Sequence, residues 1–346
     1  MRSRTCIRLL GVLALIGLLL GVFASCRGRG AEPEQSYLVS AMGFDSSELG
    51  ICVTIEIPVI RESNSGEAKT IVFSEAAPSV GTALVRMQRE VPRDLVFSHC
   101  ALVVLGEGLS REQMQEVFAF AENGERLPLA AEVVRSVNAE ELLRAGSLSA
   151  PAVGYEIPEL IACERERMGV DMRCSLYELH ATASPDSPVA IPRMEVVMVG
   201  DRFGARLCGL DILRPHADAV CLSAEDWVPY AILSNRFSGG SATAQRIRGV
   251  TRVLTVEPDD KGVSLSLNLK MNLTGGTEND AQTLRRDLVT RTEELFAHAR
   301  DVVGEDLFLL GEQIKRKNAM FSGADLTWIR GATLSVKCEI EGRGGM

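Results

Sequence analysis

The residue best placed to do chemistry in this 346-residue chain is Cys26. It follows the small pair Ala24-Ser25. Behind these lie Leu9 to Phe23, apolar apart from glycines, and a basic leader with Arg2, Arg4 and Arg8. That is the layout of a bacterial secretory signal. A cysteine directly after two small residues also resembles a lipobox, in which the thiol is acylated and the chain is cut between Ser25 and Cys26. The same residues admit an uncleaved anchor, because Leu9 to Cys26 is an uncharged run at the short end of what spans a bilayer.

No second constellation of this kind follows. The four histidines, His99, His180, His216 and His298, lie far apart and HExxH is absent. His99, beside Cys100, reads as a packed histidine of a strand rather than a base. Ser241 follows two glycines but lacks the glycine two residues later that a nucleophile elbow requires, so it reads as linker. Gly106-Glu107-Gly108 stands between a strand and a helix, where a phosphate could rest on the helix N-terminus. Position 111 is arginine where a dinucleotide fingerprint needs glycine, and no Walker lysine follows. Glu164/Glu166 and Glu293/Glu294 fall on predicted outer helix faces, where solvated charge is the default. No catalytic residue, cofactor site or metal site is expected.

The elements around these residues read as follows. Gly28 to Ser36 is a polar tether. Tyr37 to Gly43 and Ile51 to Ile60 form a hairpin, and Arg61 to Lys69 is a loop. Ser79 caps a helix through Val80, Leu84, Met87 and Val91. Leu95 to Leu105, apolar on both faces, predicts one central buried strand. Ser110 with Gln113 makes a capping box for a helix carrying Met114, Val117, Phe118 and Ala121, stopped at Gly124. Leu129 to Val137 is a strand, Asn138 and Glu141 start a helix ending near Gly146, and Ile157 to Met168 is a further helix.

Ala183 to Pro188 is the strongest loop signal, and the main domain boundary is expected shortly after it. Val189 to Val199 and Gly204 to Leu213 pair across Gly200-Asp201. A helix bears Trp227, Tyr230 and Leu233, with Pro229 kinking or delaying it, and Ser238 to Ser241 is a flexible link. Val263, Leu265, Leu267, Leu269, Met271 and Leu273 alternate with polar residues in a strand with one wet face, most comfortably antiparallel. A long helix through Leu284, Leu288, Leu295, Ala299 and Val302 should cover its dry face. A short helix near Phe308 to Lys317 precedes a last strand through Leu334, Val336, Cys338 and Ile340. Strands with helices packed to one side read as α+β, multi-domain, with mixed or antiparallel sheets covered by helices. The expected division is 1–25 signal peptide, 26–36 lipidated cysteine and tether, 37–188 N-terminal α+β domain and 189–346 C-terminal α+β region, itself divisible near 240.

Hydrophobic residues at 46% and charged residues at 24% are ordinary globular values, and no run after Cys26 is long enough to cross a membrane. The chain carries −9, and the leader holds three arginines, so the remainder carries −12 before termini. Such acidity argues against nucleic acid as a partner and against docking by charge onto anionic lipid. Beyond Cys6 and Cys26, seven cysteines remain: Cys52, Cys100, Cys163, Cys174, Cys208, Cys221 and Cys338. An odd number cannot all pair in one chain. Most are expected buried and free, and if one bridge exists it is expected between Cys163 and Cys174.

The stretch Pro92-Arg-Asp-Leu-Val-Phe-Ser-His-Cys-Ala-Leu-Val-Val-Leu-Gly-Glu-Gly-Leu-Ser-Arg111 resembles a segment of the Ger(x)C family of spore germination lipoproteins. Further landmarks recur in family order: the cysteine at 26, Gly43-Phe44-Asp45, the helix before Pro92, Ile191-Pro192-Arg193-Met194-Glu195, and Gly209-Leu210-Asp211. The resemblance covers nearly all of Cys26 to Gly345. It implies several α+β domains and a C subunit of a germinant receptor, tethered through a diacylglyceryl Cys26 to the spore inner membrane on its exported side. It also implies two integral-membrane partner subunits of A and B type, one of them transporter-like, and no enzymatic activity. The rival expectation is a solute-binding envelope lipoprotein acting with a transporter.

Overall fold

The computed structural model describes residues 36–59, 69–122, 127–182, 187–214, 217–241, 246–259, 262–275, 277–317 and 326–343. The expected signal segment, Cys26, most of the tether, the Arg61–Ala68 part of the loop and Gly124 lie outside them.

An eight-stranded mixed sheet forms the centre, built from β2 (Ala41–Ser47), β3 (Gly50–Val59), β4 (Lys69–Ala77), β6 (Leu102–Gly106), β7 (Glu132–Ser136), β8 (Val189–Val199), β9 (Arg202–Leu213) and β10 (Val220–Ser223). Their spatial order is β10-β9-β8-β7-β6-β2-β3-β4. The strands β2, β6, β7 and β8 run parallel, and hairpins add antiparallel strands on both sides. Alternate residues of the central strands enter two separate cores. Leu102 and Val104 join the core under α3 (Ala139–Arg144) and α4 (Val153–Met168). Val103 and Leu105 join the core under α1 (Val80–Glu90), α2 (Arg111–Glu122) and α5 (Leu176–Thr182). Helices therefore cover both faces of this sheet, not one. That is why its central strands read as apolar on both sides.

The second sheet is three-stranded, in the order β11 (Arg246–Asp259), β12 (Gly262–Thr274), β13 (Ala332–Arg343). Its central strand β12 is antiparallel to β11 and parallel to β13. Leu265, Leu267, Leu269, Met271 and Leu273 point to the dry side, which α7 (Glu278–His298) covers with Leu284, Leu288, Leu295 and Phe296. This core is continuous with the one beneath α3 and α4 and includes α6 (Trp227–Leu233), all of whose residues are buried, and α8 (Leu310–Lys317).

Several expectations are corrected. Leu95 to Leu105 is not one strand. The segment β5 (Asp94–Val96) pairs with β1 (Ser36–Leu38), an exposed turn follows at Ser98-His99, and β6 begins only at Leu102. The backbone is redirected there by Cys100 N–H donating to Phe97 O and Ala101 N–H to Ser40 O, each at 2.9 Å. The strands β4 and β11 were not anticipated. In β11 the register shifts between Arg248 and Val250, and Gly249, at φ 70°, breaks the alternation that identifies a strand. Val302 is 72% exposed because a π-helical turn, Ala299–Val303, rotates the chain out of the α phase of α7. Apart from those corrections, strand β8, which begins directly after Pro188, joins β7 through Arg135↔Arg193 and Ser136↔Met194. No helix among the described residues is long and apolar enough to cross a membrane.

Ser238 to Ser241 is not a flexible link. Ser238 N–H donates to Gly169 O (2.9 Å), Ser241 N–H to Arg167 O (2.5 Å) and Ile247 N–H to Gly240 O (2.8 Å), so this segment lies directly across the C-terminus of α4. Gly169 ends that helix in the left-handed region, at φ 68°.

Candidate functional site

The residues singled out in the sequence are dispersed. His99 and His298 are exposed, while His216 and the His180 side chain lie outside the described residues. Glu164 pairs with Arg167 one turn on, and Glu293 accepts the Val336 N–H of β13 at 2.9 Å instead of facing solvent. Ser241 is fixed by its backbone at the α4 crossing. All seven described cysteines are free, with Cys100, Cys174 and Cys338 buried and Cys163 and Cys221 exposed. A Cys163/Cys174 bridge is ruled out by the sheet itself. Cys163 is on the outer side of α4, whereas Cys174 belongs to the core on the opposite face. Among the described residues no group of three or more His, Cys, Asp or Glu could hold a metal ion.

What the structure does concentrate is buried carboxylate at helix N-termini. The positive end of a helix has unsatisfied N–H groups and ordinarily attracts anions. Asp45, at the end of β2, accepts from Ala139 N–H and Glu140 N–H at 2.9 Å each and so caps α3. Glu56, fully buried in β3, accepts from Val153 N–H (2.8 Å) and Gly154 N–H (2.7 Å) at the start of α4, and from the Ser40 hydroxyl (2.8 Å). Asp306 accepts from Phe308 N–H (3.1 Å), Gly311 N–H (2.7 Å) and Trp328 Nε1–H (3.2 Å) around the start of α8. Burial pushes all three carboxyls up, and the hydrogen bonds oppose that shift. Gly106 has its own part in this arrangement, since a Cβ there would overlap Asp45 Oδ1. The Gly106-x-Gly108 turn thus accommodates an internal anion where the sequence suggested an external one.

Beside Asp45 the ends of β6 and β7 are tied to β8 and β9 by charge. Asp211, fully buried, faces Arg135 at 3.2 Å and Arg193 at 3.6 Å, and Arg193 also meets Glu107 at 2.7 Å. Two guanidinium groups balance two carboxylates. Such a set holds its geometry because removing one partner leaves an uncompensated charge. It fixes the direction in which the β8–β9 hairpin leaves the sheet. The hairpin runs on from Met194 to Val199, about 17 Å at the usual strand rise, and its tip exposes Met198, Val199 and Phe203. Leu49, between β2 and β3, and Val137, just after β7, are also exposed at the carboxyl edge of the parallel strands. Exposed Glu48, Glu112 and Glu141 accompany them. At the hairpin tip, Met198 and Phe203 face each other across the β8–β9 register, so their exposed side chains adjoin, and adjoining exposed apolar side chains are a property of interaction surfaces.

Glu132, on the first residue of β7, accepts Cys174 N–H at 2.8 Å, and burial pushes its carboxyl from 4.5 up to about 7. A folded pKa above the unfolded one contributes stability that is fully present below pH 4.5 and is lost as pH rises through about 7. Glu132→Gln, whose amide oxygen can accept the same bond, is expected to remove this pH dependence. It should exceed the native chain in stability at pH 8 by up to about 3 kcal/mol. Urea denaturation at pH 4 and pH 8 checks this, and an equal difference at both would refute it.

Residues 30–195 match the family model described as the spore germination protein N-terminal domain. A crystal structure of the GerBC protein is similar to this chain with a TM-score of 0.54 and 11% sequence identity, covering 88% of this chain and 97% of that one. At that identity the likeness establishes a shared fold, and it extends well past the matched N-terminal domain. No curated protein sequence matches the chain.

Proposed function

The chain belongs to the Ger(x)C family of spore germination proteins, and from that premise we propose that it is the lipid-anchored, non-catalytic C subunit of a spore nutrient germinant receptor. The observation that carries this reading is the family match over residues 30–195, and the GerBC-like fold supports it. The internal carboxylate caps support the non-catalytic part, because the buried carboxylates Asp45 and Glu56 of the central sheet, and Asp306 before α8, are already engaged with the protein's own backbone. Cys26 is the acylated residue in this proposal. A diacyl anchor supplies two chains, enough for stable attachment where one would be marginal. The body then works beside integral-membrane A- and B-type subunits.

Cys26→Ala is expected to shift the protein from the membrane to the soluble fraction of spores. Retention on the membrane would mean that Leu9 to Phe23 is itself the anchor. Extraction of the native chain in mild detergent is expected to bring the two membrane subunits with it, and a solitary protein at native expression would overturn the receptor assignment. The exposed apolar tip of the β8–β9 hairpin, Met198, Val199 and Phe203, is the surface assigned to that contact. Met198→Ser with Phe203→Ser should cut co-purification severalfold without moving the melting temperature. Full co-purification would exclude this tip.

A further inference from the structure

The first described element is β1, whose Ser36, Tyr37 and Leu38 pair in parallel with Asp94, Leu95 and Val96 of β5. Between Cys26 and Ser36 stand nine residues, Arg27 to Gln35. At full extension such a length of chain spans at most about 35 Å. Whatever surface holds Cys26, or the apolar run before it, therefore lies within that reach of β1 and of the strand β5 beside it.

A groove of about 500 Å³ runs between β5 and α1, lined by Leu84, Val85, Gln88, Leu95, Val96 and Phe97, with Ser98 at the end of the strand side. Its amide is already engaged. Gln88 Nε2–H donates to Arg93 O (2.9 Å) and Gln88 Oε1 accepts from Leu95 N–H (3.0 Å), which ties the helix to the strand and leaves apolar walls. Val85 is 54% exposed, and Leu95, Val96 and Phe97 are half-buried. Adjoining exposed apolar side chains of this kind mark protein or membrane contacts. The charges flanking the groove are balanced, in contrast to the acidic chain as a whole. Exposed Arg89 and Arg93 stand against exposed Glu90 and Asp94, Arg86 is paired with Glu75 at 3.1 Å, and the Arg93 guanidinium lies 5.3 Å from the centre of the Tyr37 ring. A balanced margin is not repelled by an anionic lipid surface.

We propose that the groove between α1 and β5 is the face on which the body rests on the bilayer, its apolar walls covered by lipid acyl chains and its balanced charges at the level of the headgroups. Two observations select lipid as the occupant. The β1–β5 pairing places the groove beside the point where the membrane-attached segment enters the fold, and the length of that segment keeps the groove close to the surface. Apolar side chains buried at the interface add to the hold of an anchor, and a contact of this kind sets which face of the body meets the membrane. The proposal rests on the membrane attachment proposed above and adds to it a second, non-covalent contact.

The test uses the full chain in vesicles of phosphatidylcholine and phosphatidylglycerol, prepared with and without bromine on the phosphatidylcholine acyl chains. Val85→Trp is expected to lose severalfold more fluorescence to the brominated lipid than Val253→Trp, an exposed site on β11, with the native chain and its Trp227 and Trp328 as background. Should Val85→Trp fail to fold, Ser98→Trp, exposed just after β5, gives the same readout. Equal quenching of the groove and β11 probes, on a chain that floats with its vesicles, would overturn the groove as the membrane face while leaving the attachment intact. A blue shift of the groove probe without quenching would mean that protein, a second copy or a partner, covers it, and would overturn the proposal as well. Failure of the native chain to float with the vesicles would instead overturn the attachment, and this proposal with it.

Discussion

Glu56→Ala is expected to lower the unfolding free energy by about 3–5 kcal/mol, the largest effect of any single side-chain truncation considered for this protein. The carboxylate is fully buried and receives three donors, from Val153 N–H, Gly154 N–H and the Ser40 hydroxyl. Truncation leaves the Val153 and Gly154 N–H groups without an acceptor in a site without solvent, while the Ser40 hydroxyl keeps the Glu56 backbone oxygen at 3.2 Å, and each buried unsatisfied donor costs about 1–3 kcal/mol. It also removes the negative charge from the N-terminus of α4, the helix that closes one face of the central sheet. Against a typical total of about 5–15 kcal/mol, such a loss leaves a marginal protein. Glu56→Gln should recover only part of it. An amide has a single acceptor oxygen and would turn its NH2 toward another donor. Urea denaturation at neutral pH measures both variants. A loss under about 1 kcal/mol for Glu56→Ala would mean that water replaces the carboxylate, and full recovery in Glu56→Gln would mean that its charge and second oxygen contribute nothing.

Gly240→Ala is expected to cost a comparable amount, about 3 kcal/mol or more, by a different route. An added Cβ would overlap the Met168 carbonyl carbon and Gly169 N and lie 2.7 Å from Arg167 O. Every one of these neighbours is backbone, so no side chain can rotate away. The segment would have to lift from the end of α4, breaking the hydrogen bonds of Ser238 and Ser241 to Gly169 and Arg167. Because the same segment leads into β11, the effect should extend to the seating of the three-stranded sheet. Ser238→Ala is the control. It loses only the hydroxyl bond to Gly169 O at 3.2 Å and should cost about 1 kcal/mol. Thermal and urea unfolding of both variants give the comparison. Near-native stability in Gly240→Ala would show that the crossing is loose.

These two sites also mark the limit of what could be read along the chain. Ser79, Asn138 and the Ser110/Gln113 pair cap their helices as their spacing predicts, with Thr82 N–H on Ser79 Oγ, Glu141 N–H on Asn138 Oδ1, and Ser110 N–H and Gln113 N–H exchanged between their side chains. The alternation from Val263 to Leu273, the apolar stripe of α7 and the turn at Gly200-Asp201 are likewise legible. All of these depend on contacts within a few residues, where side-chain period and capping chemistry are written locally.

Cys26, with its leader, and the family-order landmarks were available from the sequence alone, because signal and motif are linear features. The tertiary structure decided the rest. Asp45 finds Ala139 at a separation of 94 residues, and Glu56 finds Val153 at 97. No local pattern distinguishes such a carboxylate from a solvated one; its role exists only once a sheet edge and a helix start coincide. Gly239-Gly240 has the composition of a linker and becomes a clamp only because the C-terminus of α4 passes beneath it. The placement of β8–β10 in the central sheet rests on two paired residues and one four-membered ion cluster. Local periodicity fixes elements at little entropic cost, whereas these sites require distant segments to be brought together, and only the packed cores compensate for that closure.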